Sequence, residues 1–204
     1  MSMPKVTYFD FAGSRGEEVR LALVLAGVAF DDNRVKDDDF ARIKSDFPFG
    51  SLPAFEVPGH GVIVETNAIL RLIGRLHHLH PDDPWDAARH DGVLDSCEEL
   101  RQRLSATSRL TDPAQRKAAR QALAADYIPV WARGIERLIG HGPFVGGAQP
   151  AVADIKIYII AKALSGGVYD DIPTTVLEPY ARLKAVARGI ANHPAVLAWY
   201  APKL

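Results

Sequence analysis

The chain has 204 residues, 48% of them apolar and 24% charged, with a formal net charge of −1. That length can bury a sizeable core as one large or two small domains, and the near-neutral balance excludes a long-range field for nucleic acid or an anionic membrane. The lone Cys97 excludes an internal disulfide and a CxxC redox pair.

Taken in chain order, Lys5 to Phe11 is a β-rich run in which Val6, Tyr8 and Asp10 alternate with Thr7, Phe9 and Phe11. A bend follows at Ala12-Gly13-Ser14, then an amphipathic helix from Gly16, ended by Gly27. Phe30 to Val35 reads as a second strand, and Phe40, Ile43 and Phe47 mark a short helix or turn before Pro48. Leu52–Val57 and Val62–Val64 flank Pro58-Gly59-His60-Gly61, a hairpin signal for an antiparallel pair. A helix from about Glu65 to His77 closes the unit. The order β-α-β, α, ββ, α is that of a thioredoxin-like layer, one mixed sheet covered by helices. Pro81-Asp82-Asp83-Pro84 breaks the chain there.

Everything beyond reads as helix: Val93 to Leu104, Tyr127 to Ile139, Asp154 to Leu164, Leu177 to Ile190 and Pro194 to Tyr200. The expected fold class is α/β plus all-α: a thioredoxin-like domain over 1–80, then an α-helical bundle over 85–204. The N-terminus lacks the basic-then-apolar layout of a signal peptide, and Leu21 to Phe30 stops short of a membrane span. A cytoplasmic protein that binds no nucleic acid and no membrane is the expectation.

Two clusters attract attention for metals. His77, His78 and His80 fall where a helix ends, with no cysteine nearby to complete a zinc site. Asp95, Glu98 and Glu99 share a helix face, the usual place for solvated carboxylates. No metal is expected at either.

Several motifs in fixed order carry a resemblance. They are Val6-Thr7-Tyr8-Phe9, Arg15-Gly16-Glu17-Glu18-Val19-Arg20, Ile43-Lys44-Ser45, Pro48-Phe49-Gly50-Ser51-Leu52-Pro53 and Glu65-Thr66-Asn67-Ala68-Ile69. Phe144 to Gly147 running to Ala153-Asp154, and His193-Pro194-Ala195-Val196, complete the series. In these the chain resembles the cytosolic glutathione transferases over essentially its whole length, nearest to the sigma-like group. The resemblance implies glutathione as co-substrate, a small hydrophobic electrophile as second substrate, and a homodimer.

It also implies roles. Tyr8 would donate a hydrogen bond to the glutathione sulfur. A free thiol titrates near ~8.5, and lowering that by about two units needs roughly 2.7 kcal/mol of preference for the thiolate. One hydrogen bond to a charged acceptor supplies roughly 1.5–3 kcal/mol, so a single phenol nearly suffices. Arg15 would add charge beside the sulfur. The Tyr8-to-Arg15 spacing is one residue longer than in the sigma-like pattern, through Ser14, which leaves Ser14 as a competing thiolate donor.

Leu52 before a cis Pro53 would pair its backbone with the cysteinyl unit of the peptide. Thr66 at a helix start would bind the γ-glutamyl carboxylate, and Glu65 its ammonium group. Lys44 would meet the glycyl carboxylate, and Glu99 would reach across a dimer. Phe49 is either a key inserted into the partner subunit or an ordinary packed loop residue. Asp154 reads as a folding residue, since Ala151 stands where a capping Ser or Thr is usual.

The electrophile's pocket would draw on the Phe11–Ser14 loop, on Arg103, Leu104 and Thr107, and on Trp199 to Leu204. Arg101 to Ala106 lacks the tryptophan of the sigma-like prostaglandin isomerases, which argues against that activity. The alternative is a glutathione-binding or interaction protein with little turnover. Phe40 in place of a common tryptophan, Ser51 in place of a basic or amide residue, and the longer Ser14 loop motivate it.

Overall fold

The structure is a computed structural model, and it describes residues 3–202. Two compact units partition the chain: the first runs to His80 and takes in the chain again from His193, and the second spans Pro81–Asn192. The last helix thus groups with the first unit, although its sequence pattern continues the helical series.

In the first unit the strands are β1 (Lys5–Phe9), β2 (Asp31–Val35), β3 (Ala54–Val57) and β4 (Gly61–Val64). They form one sheet in the order β2-β1-β3-β4, with β1 parallel to β2 and antiparallel to β3, and β3 antiparallel to β4. Val6, Thr7 and Tyr8 in the middle of β1 are all buried, so both faces of the central strand are covered. Thr7 remains satisfied there because its hydroxyl accepts from Asn33 Nδ2 at 3.1 Å.

Helices α1 (Ser14–Leu25), α2 (Asp37–Ile43) and α3 (Thr66–Leu76) complete the layer, and α9 (Pro194–Tyr200) packs on α1. The run Val19, Leu21, Ala22 and Leu23 marks α1 as a buried helix, and burial extends over its charged first turns as well. Eight successive residues, Gly16 to Leu23, are buried, so the helix has no solvent stripe. It is enclosed by β1, α3 and α9. Two of the charges among those residues meet partners inside the unit: Glu17 accepts from Trp199 Nε1 at 2.8 Å, and Arg20 Nε donates to Asp32 Oδ1 at 2.7 Å. Gly27, at φ +66°, ends the helix as its position suggested.

The second unit holds α4 (Pro84–Ser108), α5 (Pro113–Ala122), α6 (Ile128–Leu138), α7 (Val152–Ser165) and α8 (Ala181–Ala191). The Pro81–Pro84 break is also a helix start. Asp83 accepts from the backbone N–H groups of Trp85 and Asp86, and Pro84 occupies the first turn, where its missing donor costs nothing. Leu123 to Tyr127 bridges α5 to α6 as a π-turn. Helix α8 begins four residues after the expected Leu177, because Pro179 disfavours helical backbone just before it. Leu177 and Tyr180 are nevertheless buried.

Asp154 organises the start of α7. Its two carboxylate oxygens accept from the Val145 and Ala151 backbone N–H groups, both at 2.8 Å. Ala151 has no oxygen to complete the reciprocal half of a capping box. Burial pushes the Asp154 carboxyl up to about 7, against the pull of those backbone donors.

Candidate active site

The strand register assembles the site. Thr7 pairs with Ala54, and Ala54 with Val64. One step beyond this row come Tyr8 in β1, Pro53 immediately before β3 and Glu65 immediately after β4. Three candidates distant in sequence therefore share one end of the sheet, and the Leu52–Pro53 bond there is cis.

Tyr8 is 4% exposed and lies against the start of α1. A Cβ added to Gly16 would come within 2.1 Å of Tyr8 Cδ1 and 2.2 Å of Cγ. Only glycine allows the phenol to lie there. Phe9 and Phe11 flank the ring with centroids at 5.4 and 5.6 Å. An open pocket of about 620 Å³ adjoins it, lined by Tyr8, Phe9, Asp10, Phe11, Val35, Lys36 and Asp37.

Arg20 supports this arrangement, and its role was not read from the sequence. It is fully buried, with Nη1 donating to the Phe11 carbonyl and to Glu17 Oε2, each at 3.3 Å, and Cζ 5.8 Å from the Tyr8 ring centroid. The guanidinium thus ties the loop after β1 to the helix that follows. An arginine inside Val19-Arg20-Leu21-Ala22-Leu23 was a visible signal of a buried cation needing partners.

Ser14, at φ +56°, follows Gly13 at φ +115° and opens α1. Arg15 is half-buried in the same turn. Glu65 stands at φ +70° immediately before α3, and Thr66 is 4% exposed in its first turn. The Thr66 hydroxyl is buried with no hydrogen-bond partner among the described residues. A strained residue leading into an orphaned hydroxyl at a helix N-terminus is a place where an anion would be welcome. Lys44 is exposed in the turn after α2, its alkyl chain lying over Gly50, where an added Cβ would stand 3.3 Å from Lys44 Cε. Phe49 is 85% exposed at φ +62°, so within its own chain it is no packed loop residue.

In the second unit Glu99 has local partners. Arg103 donates to Glu99 Oε1 through Nε at 3.1 Å and Nη2 at 2.7 Å, and its Cζ stacks 4.0 Å over the Tyr127 ring. The hydrogen bond from Arg103, then that from Tyr127, holds the Glu99 carboxyl below its ordinary range. Glu98 is joined to the buried Lys156 at 2.9 Å. Leu104 and Thr107 are buried, and the Thr107 hydroxyl is engaged by the Leu104 carbonyl at 2.7 Å and by Arg120 at 3.2 Å.

Trp199 anchors α9 through Glu17 and through Phe30, whose centroid is 5.7 Å away, while Lys203 and Leu204 lie outside the described residues. Among the described residues no His, Cys, Asp and Glu group is arranged to hold a metal, and no helix is long and apolar enough to cross a membrane.

Residues 4–75 match the family described as glutathione S-transferase, N-terminal domain, and residues 98–203 match glutathione S-transferase, C-terminal domain. The chain is 40% identical over 100 residues to glutathione S-transferase 1 of Ascaris suum, an alignment covering 49% of this chain and 48% of that protein. This chain thus spans about half the length of that relative. It is 25% identical to the hematopoietic prostaglandin D synthase of Gallus gallus over 96% of this chain and 94% of the other. Its backbone superposes on the prostaglandin synthase D structure of Nilaparvata lugens with a TM-score of 0.85, at 27% identity over 99% of this chain and 100% of that one.

Proposed function

The chain belongs to the glutathione S-transferase family, and from that premise we propose that it activates glutathione as a thiolate and conjugates it to a small hydrophobic electrophile. Tyr8 donates to the sulfur, with Ser14 as the competing donor and Arg15 adding positive charge. The Leu52 backbone, beside Pro53, pairs with the cysteinyl unit. Thr66 and the first-turn N–H groups of α3 take the γ-glutamyl carboxylate, Glu65 the ammonium group, and Lys44 the glycyl carboxylate.

The observation that carries this reading is the buried, orphaned Thr66 hydroxyl at a helix N-terminus, which a carboxylate would satisfy. The conjugation itself needs no further cofactor. The thiolate attacks the electrophilic carbon, a C–S bond forms, and the leaving group departs with the bonding pair.

The working unit is a homodimer. The 85% exposure of Phe49 on a left-handed backbone supports its insertion into a second copy, and Glu99 would serve the neighbouring site once released from Arg103. We place the protein in the cytoplasm, in keeping with one buried cysteine that forms no disulfide among the described residues, where clearing electrophiles would be its task.

Steady-state conjugation of glutathione to 1-chloro-2,4-dinitrobenzene, with calorimetry of glutathione binding, tests the reading. Binding together with turnover supports it. Binding without turnover leaves only a glutathione-binding protein, and neither would overturn it.

A further inference from the structure

The last helix of the chain reaches the loop after β1 through two fully buried charges, Glu17 and Arg20. Trp199 in α9 donates its indole N–H to Glu17 Oε1 at 2.8 Å, and Glu17 Oε2 accepts from Arg20 Nη1 at 3.3 Å. The same Nη1 donates to the Phe11 carbonyl at 3.3 Å. Phe11 in turn stands 5.6 Å, centroid to centroid, from the Tyr8 ring. All of these residues belong to the first unit, in which α9 packs on α1.

Competition for Glu17 decides where Arg20 points. Among the described residues the two Glu17 oxygens meet one donor each, from Trp199 and from Arg20. Arg20 Nη2 is buried with no hydrogen-bond partner among the described residues. A guanidinium with a spare N–H beside a carboxylate gains most by presenting both terminal nitrogens to it. The indole N–H occupies Oε1 and denies Arg20 that fork, which leaves Nη1 bridging Glu17 and the Phe11 carbonyl. The other side of Arg20 is fixed independently: Nε donates to Asp32 Oδ1 at 2.7 Å, and Asp32 is braced by Arg34 at 2.8 Å. Without the Trp199 donor, Glu17 Oε1 would be a buried charge short of a partner, and turning onto Nη2 is the nearest remedy. The Phe11 carbonyl then loses Arg20, and the loop before α1 loses its tie.

We propose that Trp199 is a positioning residue for thiol activation, acting through Glu17 and Arg20 to hold the loop that packs on Tyr8. This role rests on the reading of Tyr8 as the thiolate donor.

Two substitutions separate the N–H from the ring. Trp199→Phe keeps an aromatic ring near Phe30, whose centroid is 5.7 Å from that of Trp199, and removes the donor. Trp199→His gives up part of that packing and keeps an N–H at the corresponding ring position. In Trp199→Phe the pKa of the bound glutathione thiol should rise by about half to one unit, read by ultraviolet titration. Conjugation should then slow roughly two- to sixfold at pH 6.5 and by less than about 1.2-fold at pH 9. Glutathione affinity at pH 6.5 should stay within about twofold by calorimetry, since the peptide's other contacts are untouched. Trp199→His should keep the parental thiol pKa, although its Tm should fall further than that of Trp199→Phe. Replacing Trp199 by β-(3-benzothienyl)alanine, which exchanges only the indole N–H for sulfur, should reproduce the Trp199→Phe shift in a protein whose packing is intact.

An unchanged thiol pKa in Trp199→Phe and in the benzothienyl protein, where Tyr8→Phe does raise it, overturns the relay and leaves the reading of Tyr8 standing. Equal shifts in Trp199→Phe and Trp199→His also overturn it, because the ring and not its N–H would then matter. If Tyr8→Phe itself leaves the thiol pKa unchanged, the underlying reading fails and the relay with it.

Discussion

Gly16→Ala isolates the contact on which the proposed chemistry depends. A methyl group at this position would fall 2.1 Å from Tyr8 Cδ1, 2.2 Å from Cγ and 2.7 Å from Tyr8's own Cβ. Comfortable carbon–carbon contact begins near ~3.5 Å, so the ring must retreat by roughly 1.4 Å. Because Tyr8 Cβ is among the clashing atoms, rotating the side chain does not relieve it, and β1 must move away from α1. Hydrogen-bond geometry at an anionic acceptor tolerates only a few tenths of an ångström, so the phenol would lose the sulfur.

The loss is roughly 1.5–3 kcal/mol, or about 10- to 150-fold in the acid dissociation constant of the bound thiol and about 4- to 40-fold in its thiolate population at pH 7. Overpacking costs about 1–3 kcal/mol of stability, offset by about 1 kcal/mol from alanine's better helix propensity, so the protein should remain folded. Conjugation rates at pH 6.5 and ultraviolet titration of the bound thiolate are the assays. In the double variant Tyr8→Phe/Gly16→Ala the rate should fall no further than in Tyr8→Phe alone, since both changes remove one interaction. A Gly16→Ala protein with the parental thiolate pKa and rate would refute the reasoning.

Three other outcomes are expected. Tyr8→Phe should return the bound thiol from about 6.5 to about 8.5, slowing conjugation roughly 50-fold at pH 6.5 and hardly at all near pH 10; an unchanged profile would transfer the role to Ser14. Thr66→Val should weaken glutathione binding by calorimetry roughly 10- to 150-fold, the value of a hydrogen bond to a charged carboxylate, with little loss of stability because that hydroxyl has no partner among the described residues; equal affinity would remove Thr66 from the site. Asp154 ordinarily titrates near 3.8 and is raised to about 7 in the folded chain, so the folded state keeps a proton that the unfolded state releases. Stability contributed by this group therefore declines as pH rises through that window, by about 1.4 kcal/mol per unit. Asp154→Asn should lack that slope, and urea unfolding at pH 5 and pH 7 would show the same pH dependence in both proteins if burial did not govern it.

The local grammar of the chain was open to reading because it depends on neighbours in sequence. Alternation in Lys5–Phe9, the Pro58–Gly61 turn and the glycine at position 27 each encode a backbone preference that needs no distant partner. The helical ends depended more on context: Pro179 delayed α8, and Asp83 with Pro84 made a start where a break was read. The apolar run of α1 was legible as a buried helix, but not what its charges meet there: Trp199, more than 180 positions away, partners Glu17, and Asp32 partners Arg20.

Tyr8, Pro53, Glu65 and Thr66 were singled out by the resemblance their motifs carry in order, since a phenol, a strand-opening proline or a capping hydroxyl has an ordinary packing role when taken alone. Their meeting at one end of the sheet was decided by strand register, which no local pattern fixes. Tertiary structure alone showed that Gly16 makes room for the Tyr8 ring, that Arg20 is buried near it and that the Thr66 hydroxyl lacks a hydrogen-bond partner among the described residues. Side-chain chemistry belongs to single residues, but vacancy, burial and close approach belong to pairs of atoms that the chain brings together only when it folds.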